Sequence, residues 1–203
     1  RGLGDVYKRQ DEITALKDIE ANNTNLVNKG NIASNGKVSL NNSNITNTKK
    51  IASSTIEMQN NKKFDNTGEI IGNKVTLAST NDLNLTGKLH GAQSLTISGK
   101  NITNNGETTG TGITTITASN NFTNNSELAA QTLTVTATGD IVNNKMLSGG
   151  KVSLSGNNIQ NNDLIAAAGD LTLTATNKVE NKSGKTIFAG NKLTITAKEI
   201  KNN

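Results

Sequence analysis

The chain contains no cysteine, no proline and no tryptophan, and only 2% of its residues are aromatic. Without cysteine there is neither a disulfide scaffold nor a thiolate metal site. Without aromatic platforms, and with a net charge of +5 spread over scattered lysines rather than a basic stripe, nucleic-acid binding is not expected. No apolar run is long enough to span a bilayer as a helix. No signal peptide is visible at the start. Hydrophobic residues make up 32% of the chain, low enough that composition alone would suit a disordered segment. The arrangement argues against disorder. The apolar residues are mainly Leu, Ile and Val, they alternate with Thr and Ser, and such period-two alternation of β-branched residues is the pattern of a half-buried strand.

An apolar-x-apolar pair recurs along the chain, at Val38/Leu40, Ile56/Met58, Val75/Leu77, Leu95/Ile97, Leu133/Val135, Val152/Leu154, Leu171/Leu173 and Leu193/Ile195. Thr114/Ile116 fills the one gap, and successive pairs start eighteen to twenty-two residues apart. A second apolar position follows each pair, at Ile45, Phe64, Leu83, Ile102, Phe122, Ile141, Ile159, Val179 and Ile200, and a third at Ile32, Ile51, Ile70, Leu89, Leu128, Leu147 and Ile165, with Thr108 breaking that last row. Three apolar segments per unit, each too short for a helix, predict three short strands per turn. A unit of about nineteen residues is too short for helical repeats of roughly 33 residues or propeller blades of roughly 40, and suits one coil of a parallel β-helix. One coil cannot bury its inward face alone, so stability must come from stacking. The fold expected is all-β, a solenoid whose narrow core is filled by aliphatic files.

Two polar rows accompany the core. Asn stands two residues after the second apolar position at Asn28, Asn47, Asn66, Asn104, Asn124, Asn143, Asn161, Asn181 and Asn202, with Leu85 as the exception. That spacing puts the amides on the inward side near a corner, where they can form a structural ladder from coil to coil. Outward Thr and Ser flank the first strand, at Thr96, Thr115, Thr134, Ser153, Thr172 and Thr194, each followed two residues later by another Thr or Ser. Such Thr-x-Thr rows resemble ice-binding faces, although Thr is also simply favoured on exposed strands.

No cofactor-binding, metal-ligating or catalytic constellation emerges. His90, the only histidine, lies beside Gly91 and is read as an exposed turn residue. Glu107 and Glu127 occupy equivalent places one coil apart. Polysaccharide cleavage needs two convergent acids, but Lys88 holds the same place in the preceding coil, so an alternating charged row on a solvated face is the simpler reading. No Gly-Gly-x-Gly-x-Asp series is present for calcium.

Residues 1–10, RGLGDVYKRQ, hold the only Tyr and the only two Arg. They resemble translated adapter sequence and are expected to be non-native. Residues 11–17 are read as either a short helix, from the spacing of Ile13, Leu16 and Ile19, or a partial coil. Residues 18–203 are read as the repeat domain, cut at both ends.

The stretches Ala167-Ala168-Gly169-Asp170-Leu171-Thr172-Leu173-Thr174-Ala175 and Ala189-Gly190-Asn191-Lys192-Leu193-Thr194-Ile195-Thr196-Ala197 resemble the haemagglutinin repeats of filamentous-haemagglutinin-like exoproteins. The resemblance runs from about Ile19 to the end. It implies a right-handed parallel β-helix in a large, secreted, cell-surface protein of a Gram-negative bacterium, exported through an outer-membrane two-partner secretion transporter. It further implies a non-enzymatic adhesive or stalk segment. Such a segment contacts host or neighbouring-cell receptors or glycans, or carries a toxin of the contact-dependent inhibition type. A polysaccharide-degrading β-helix enzyme and an ice-binding solenoid are the alternatives.

Overall fold

The structure is a computed structural model that describes residues 12–203; the adapter-like segment lies outside the described residues. It is built entirely of strands, from Glu12–Ala15 to Glu199–Asn202. All strand pairing is parallel and joins residues about nineteen apart, giving a β-solenoid of about ten coils. Each coil has the three strand segments expected. Two of them run into one another through a corner, so that Lys88–Gly99 and Glu107–Ala118 are single bent strands, while a short third strand such as Ile102–Asn104 closes the coil. Register slips mark the bends, for example between Gly91 and Ser94.

The core follows from the alternation. Ile19, Val38, Ile56, Val75, Leu95, Thr114, Leu133, Val152, Leu171 and Leu193 form one unbroken file in register. A parallel file from Leu83 through Ile102, Phe122, Ile141, Ile159 and Val179 to Ile200 lines the short strands. Interior members of both files are buried. Each inward residue packs on its own equivalent above and below, which is why small aliphatics suffice and aromatics are not needed.

One open alternative is resolved and one local expectation is corrected. Of the two readings for residues 11–17, a short helix or a partial coil, the described residues form the coil. Glu12–Ala15 is a strand that pairs with Asn31–Ser34, because stacking on a neighbouring coil satisfies its backbone while an isolated turn of helix would not. His90 is not in a turn. It lies within Lys88–Gly99, directed outward between inward Leu89 and Gly91, and its Nδ1 sits 2.9 Å from Thr109 Oγ1.

Thr114 is the one polar residue in its file, and its Oγ1 is buried with no hydrogen-bond partner. An unpaired buried hydroxyl costs about 1–3 kcal/mol. The isosteric Thr114→Val is therefore expected to stabilise the rod by about 1 kcal/mol or more in urea denaturation. Leu133→Ala in the next coil should destabilise by about 2–5 kcal/mol through the cavity it leaves.

Candidate functional site

The inward Asn residues form a ladder of their own in two runs, separated at Leu85. Asn28 Nδ2 donates to Asn47 Oδ1 and Asn47 Nδ2 to Asn66 Oδ1, both at 2.7 Å. After Leu85 the series resumes: Asn104 to Asn124 at 2.8 Å, Asn124 to Asn143 and Asn143 to Asn161 at 2.9 Å, Asn161 to Asn181 at 2.8 Å and Asn181 to Asn202 at 2.9 Å. From Asn28 to Asn161 these amides are buried; Asn202 is exposed. Each buried Nδ2 also reaches a backbone carbonyl of the next coil's corner, as Asn124 does to Met146 O at 3.2 Å and Asn143 to Leu164 O at 3.0 Å. Both amide protons thus point toward the C-terminal end of the rod.

The row's two sequence exceptions are coupled. Leu85 has no amide to offer, so Asn104 Oδ1 would be left without a donor. The hydroxyl of Thr108 supplies it at 2.8 Å. Thr108 departs from the apolar row for the same reason that Leu85 departs from the Asn row.

A second ladder, not anticipated, runs beside the first on the outside of the corner. Asn105 Nδ2 donates to Asn84 Oδ1 at 2.6 Å, Asn125 to Asn105 at 2.9 Å, Asn144 to Asn125 at 2.7 Å and Asn162 to Asn144 at 2.6 Å. Its donors point toward the N-terminal end, opposite to the inner ladder. The readable signal was the doublet Asn104-Asn105, repeated at 124–125, 143–144 and 161–162. In a strand leading into a corner, adjacent residues face opposite sides.

The outward hydroxyls stack in two files. Thr96, Thr115, Thr134, Ser153, Thr172 and Thr194 align, as do Ser98, Thr117, Thr136, Ser155, Thr174 and Thr196. Toward the N-terminal end the array is interrupted by Ala78 and Glu57, which align with the same files.

The carboxylates do not converge. Lys88 and Glu107 are register partners, 3.5 Å apart, and Glu127 is exposed in the coil above. Among the described residues no three His, Cys, Asp or Glu side chains are grouped to hold a metal ion. One carboxylate is unusual. Glu180, only 5% exposed, receives Lys178 at 2.8 Å and Lys182 at 2.7 Å, with Lys201 of the next coil at 3.9 Å and Asn203 Nδ2 at 3.2 Å. The hydrogen bonds from Lys178 and Lys182 hold its carboxyl down to about 2 from 4.5. The bond to Glu180 raises Lys178. Sequence reasoning passed over this cluster, although Lys178-x-Glu180-x-Lys182 has the alternate spacing that puts side chains on one side at the end of the strand Leu171–Asn181.

A rod of stacked coils, with neutral amides inside, hydroxyls outside and no convergent acids among the described residues, defines a repeat protein whose regular feature is its length. The haemagglutinin repeat profile matches residues 13–87, 70–126, 128–183 and 166–203, and the chain belongs to that family of filamentous-haemagglutinin-like repeats. No curated protein and no solved structure matches it. No helix among the described residues is long and apolar enough to cross a membrane.

Three outcomes follow from this geometry. Asn143→Ala leaves the Asn124 amide, Asn161 Oδ1 and a corner carbonyl short of partners. At about 1–3 kcal/mol per unpaired buried group, it should cost at least about 2 kcal/mol. Asn144→Ala in the exposed ladder should stay within about 0.5 kcal/mol. Because the folded Glu180 carboxyl lies below its ordinary value, its contribution is fully present above pH about 4.5 and is lost as pH falls toward about 2. Melting temperatures followed from pH 5 to pH 2 should fall less steeply for Glu180→Gln than for the parent chain.

Proposed function

We propose that this chain is a stretch of the shaft of a large secreted surface protein. Its task is mechanical reach, together with a long face for weak, repeated contact with host or neighbouring-cell receptors or glycans. The observation that carries the reading is the register, which repeats coil after coil with no converging polar site among the described residues. Family membership supports the wider setting: a Gram-negative cell surface, export through an outer-membrane two-partner secretion transporter, and either adhesion or display of a distal toxin domain. The absence of cysteine suits such export, since no disulfide would hinder an unfolded chain in a pore.

The outward Thr and Ser files are the most regular surface and the natural candidate for repeated contact. Single hydroxyl contacts are weak, and affinity would come from multivalency along the rod. Multimerised chain on beads should adhere to epithelial or bacterial cells while the single chain binds weakly. Bead binding should drop at least fivefold when Thr134, Thr136, Thr172 and Thr174 are replaced by Lys. Unchanged adhesion of the Lys variant would remove the hydroxyl files from the reading. Loss of adhesion by every form would leave reach alone as the task. Release of sugars from bacterial or host polysaccharide would instead establish the enzymatic alternative, and inhibition of ice recrystallisation the ice-binding one. Neither is expected.

A further inference from the structure

The rod is not uniform. Strand pairing, the inner amide row, backbone hydrogen bonding and corner conformation all change between the coil of Lys63–Asn66 and the coil of Leu83–Leu85. The short strands Asn25–Asn28, Asn44–Asn47 and Lys63–Asn66 form a three-stranded sheet of their own. Leu83–Leu85 pairs only upward, with Ile102–Asn104, so the ladder on this face stops and restarts. The inner amide row breaks at the same step. Asn66 Nδ2 finds no amide at Leu85 and donates instead to Thr86 O at 3.0 Å and Lys88 O at 3.3 Å.

The backbone tells the same story. Thr48 N and Thr67 N donate to Asn28 O and Asn47 O, both at 2.9 Å, and Asn105 N donates to Leu85 O at 2.8 Å. At the break the equivalent carbonyl, Asn66 O, is met by the Thr86 hydroxyl at 2.5 Å. The corners change too. Asn23, Asn42 and Asn60 carry left-handed φ of 56°, 53° and 55°, and no later Asn does. Gly87, at φ 69°, sits at the break, where a Cβ would lie 2.4 Å from Gly68 O. In the last coil before the break, Asn61 Nδ2 is buried without a partner. The neighbouring strands remain joined across the same step, because Glu69–Ala78 pairs with Lys88–Gly99.

We infer that this step is a built-in joint. The solenoid consists of two cooperative blocks, residues 12–81 and 83–203, hinged along the paired strands and open to separation on the unpaired face. Stability in a stacked repeat is a sum of coil and nearest-neighbour terms, so the weakest interface sets where the stack divides. On this face the strand ladder that both neighbouring short-strand interfaces retain is missing, and only side-chain bonds to backbone cross it, such as Asn66 Nδ2 to Thr86 O and Thr86 Oγ1 to Asn66 O. The joint stands whether or not the shaft reading holds. In a shaft it would give a fixed point of bending.

Native-state hydrogen exchange of the full chain in low denaturant tests this directly. The amides of the first block should converge on one opening rate, at least tenfold faster than that of the second block, with the step falling between Asn66 and Leu83. Protection that declines smoothly coil by coil from the ends, or a step elsewhere, would overturn the joint. Leu85→Asn with Thr108→Ile restores the amide row and should reduce the step to less than threefold. If that variant does not fold, Asn47→Leu serves. It breaks the amide row inside the first block without touching the joint, and should speed that block's exchange while leaving the boundary where it is. A boundary that moves to Asn47 would show that any missing amide makes a joint, and would overturn the assignment to this step.

Discussion

A buried amide in a narrow aliphatic core can be satisfied only by a partner at its own level in the next coil, and this requirement fixes the register of the rod. Aliphatic files alone tolerate slippage, since Leu packs on Ile or Val with little preference. An Asn displaced by one residue would face solvent, and one displaced by two would meet Leu or Ile with its protons unpaired. The penalty is paid in units of about 1–3 kcal/mol per group, comparable to the gain from a core side chain. Selection of one register from many near-equivalent ones is therefore a polar matter, while the bulk of the stabilisation is apolar.

The coupling of Leu85 and Thr108 shows how strictly this requirement is met. Removing an amide donor from one coil would leave Asn104 Oδ1 exposed to an apolar neighbourhood. The compensation comes from the apolar row, four residues along from Asn104, where a hydroxyl replaces a methyl and supplies the missing proton. A buried polar row is either complete or repaired. At Asn61 and Thr114 the repair is missing, and these are sites where the sequence is not at its stability optimum.

Legibility from sequence tracked repetition. The coil length, the aliphatic files and the inward Asn row recur in nearly every unit, so alternation and spacing reveal them. Leu85 and Thr108 were visible as exceptions, but their link was not. It joins two different rows across a coil boundary, and no single-row comparison connects position 85 to position 108 through Asn104. The outer ladder was hidden because Asn105, Asn125 and Asn144 read equally well as turn residues. Ile13, Leu16 and Ile19 left helix and coil both open. Ile13 and Ile19 lie in strands, with Leu16 in the bend between them, because a neighbouring coil offers backbone partners that a single turn of helix lacks. The Glu180 cluster depends on Lys201, which belongs to the next coil, so its full charge environment exists only after stacking.

The two ladders also give the rod a polarity that composition cannot reveal. Inner amides donate toward the C-terminal end and outer amides toward the N-terminal end, so their dipoles oppose one another along a shared corner. Opposed rows side by side attract, whereas parallel rows would repel, and the Asn-Asn doublet delivers that opposition with two adjacent residues on opposite sides of one strand. The doublet thus does more than fill a turn. It orders the corner on both faces at once, and it begins after the joint. Before the joint the corner carries Asn28-Lys29 and Asn47-Thr48 in its place, and the left-handed Asn turns lie at a different corner. The two blocks accordingly share one core and one register while ordering their corners by different means, and the seam falls where one solution gives way to the other.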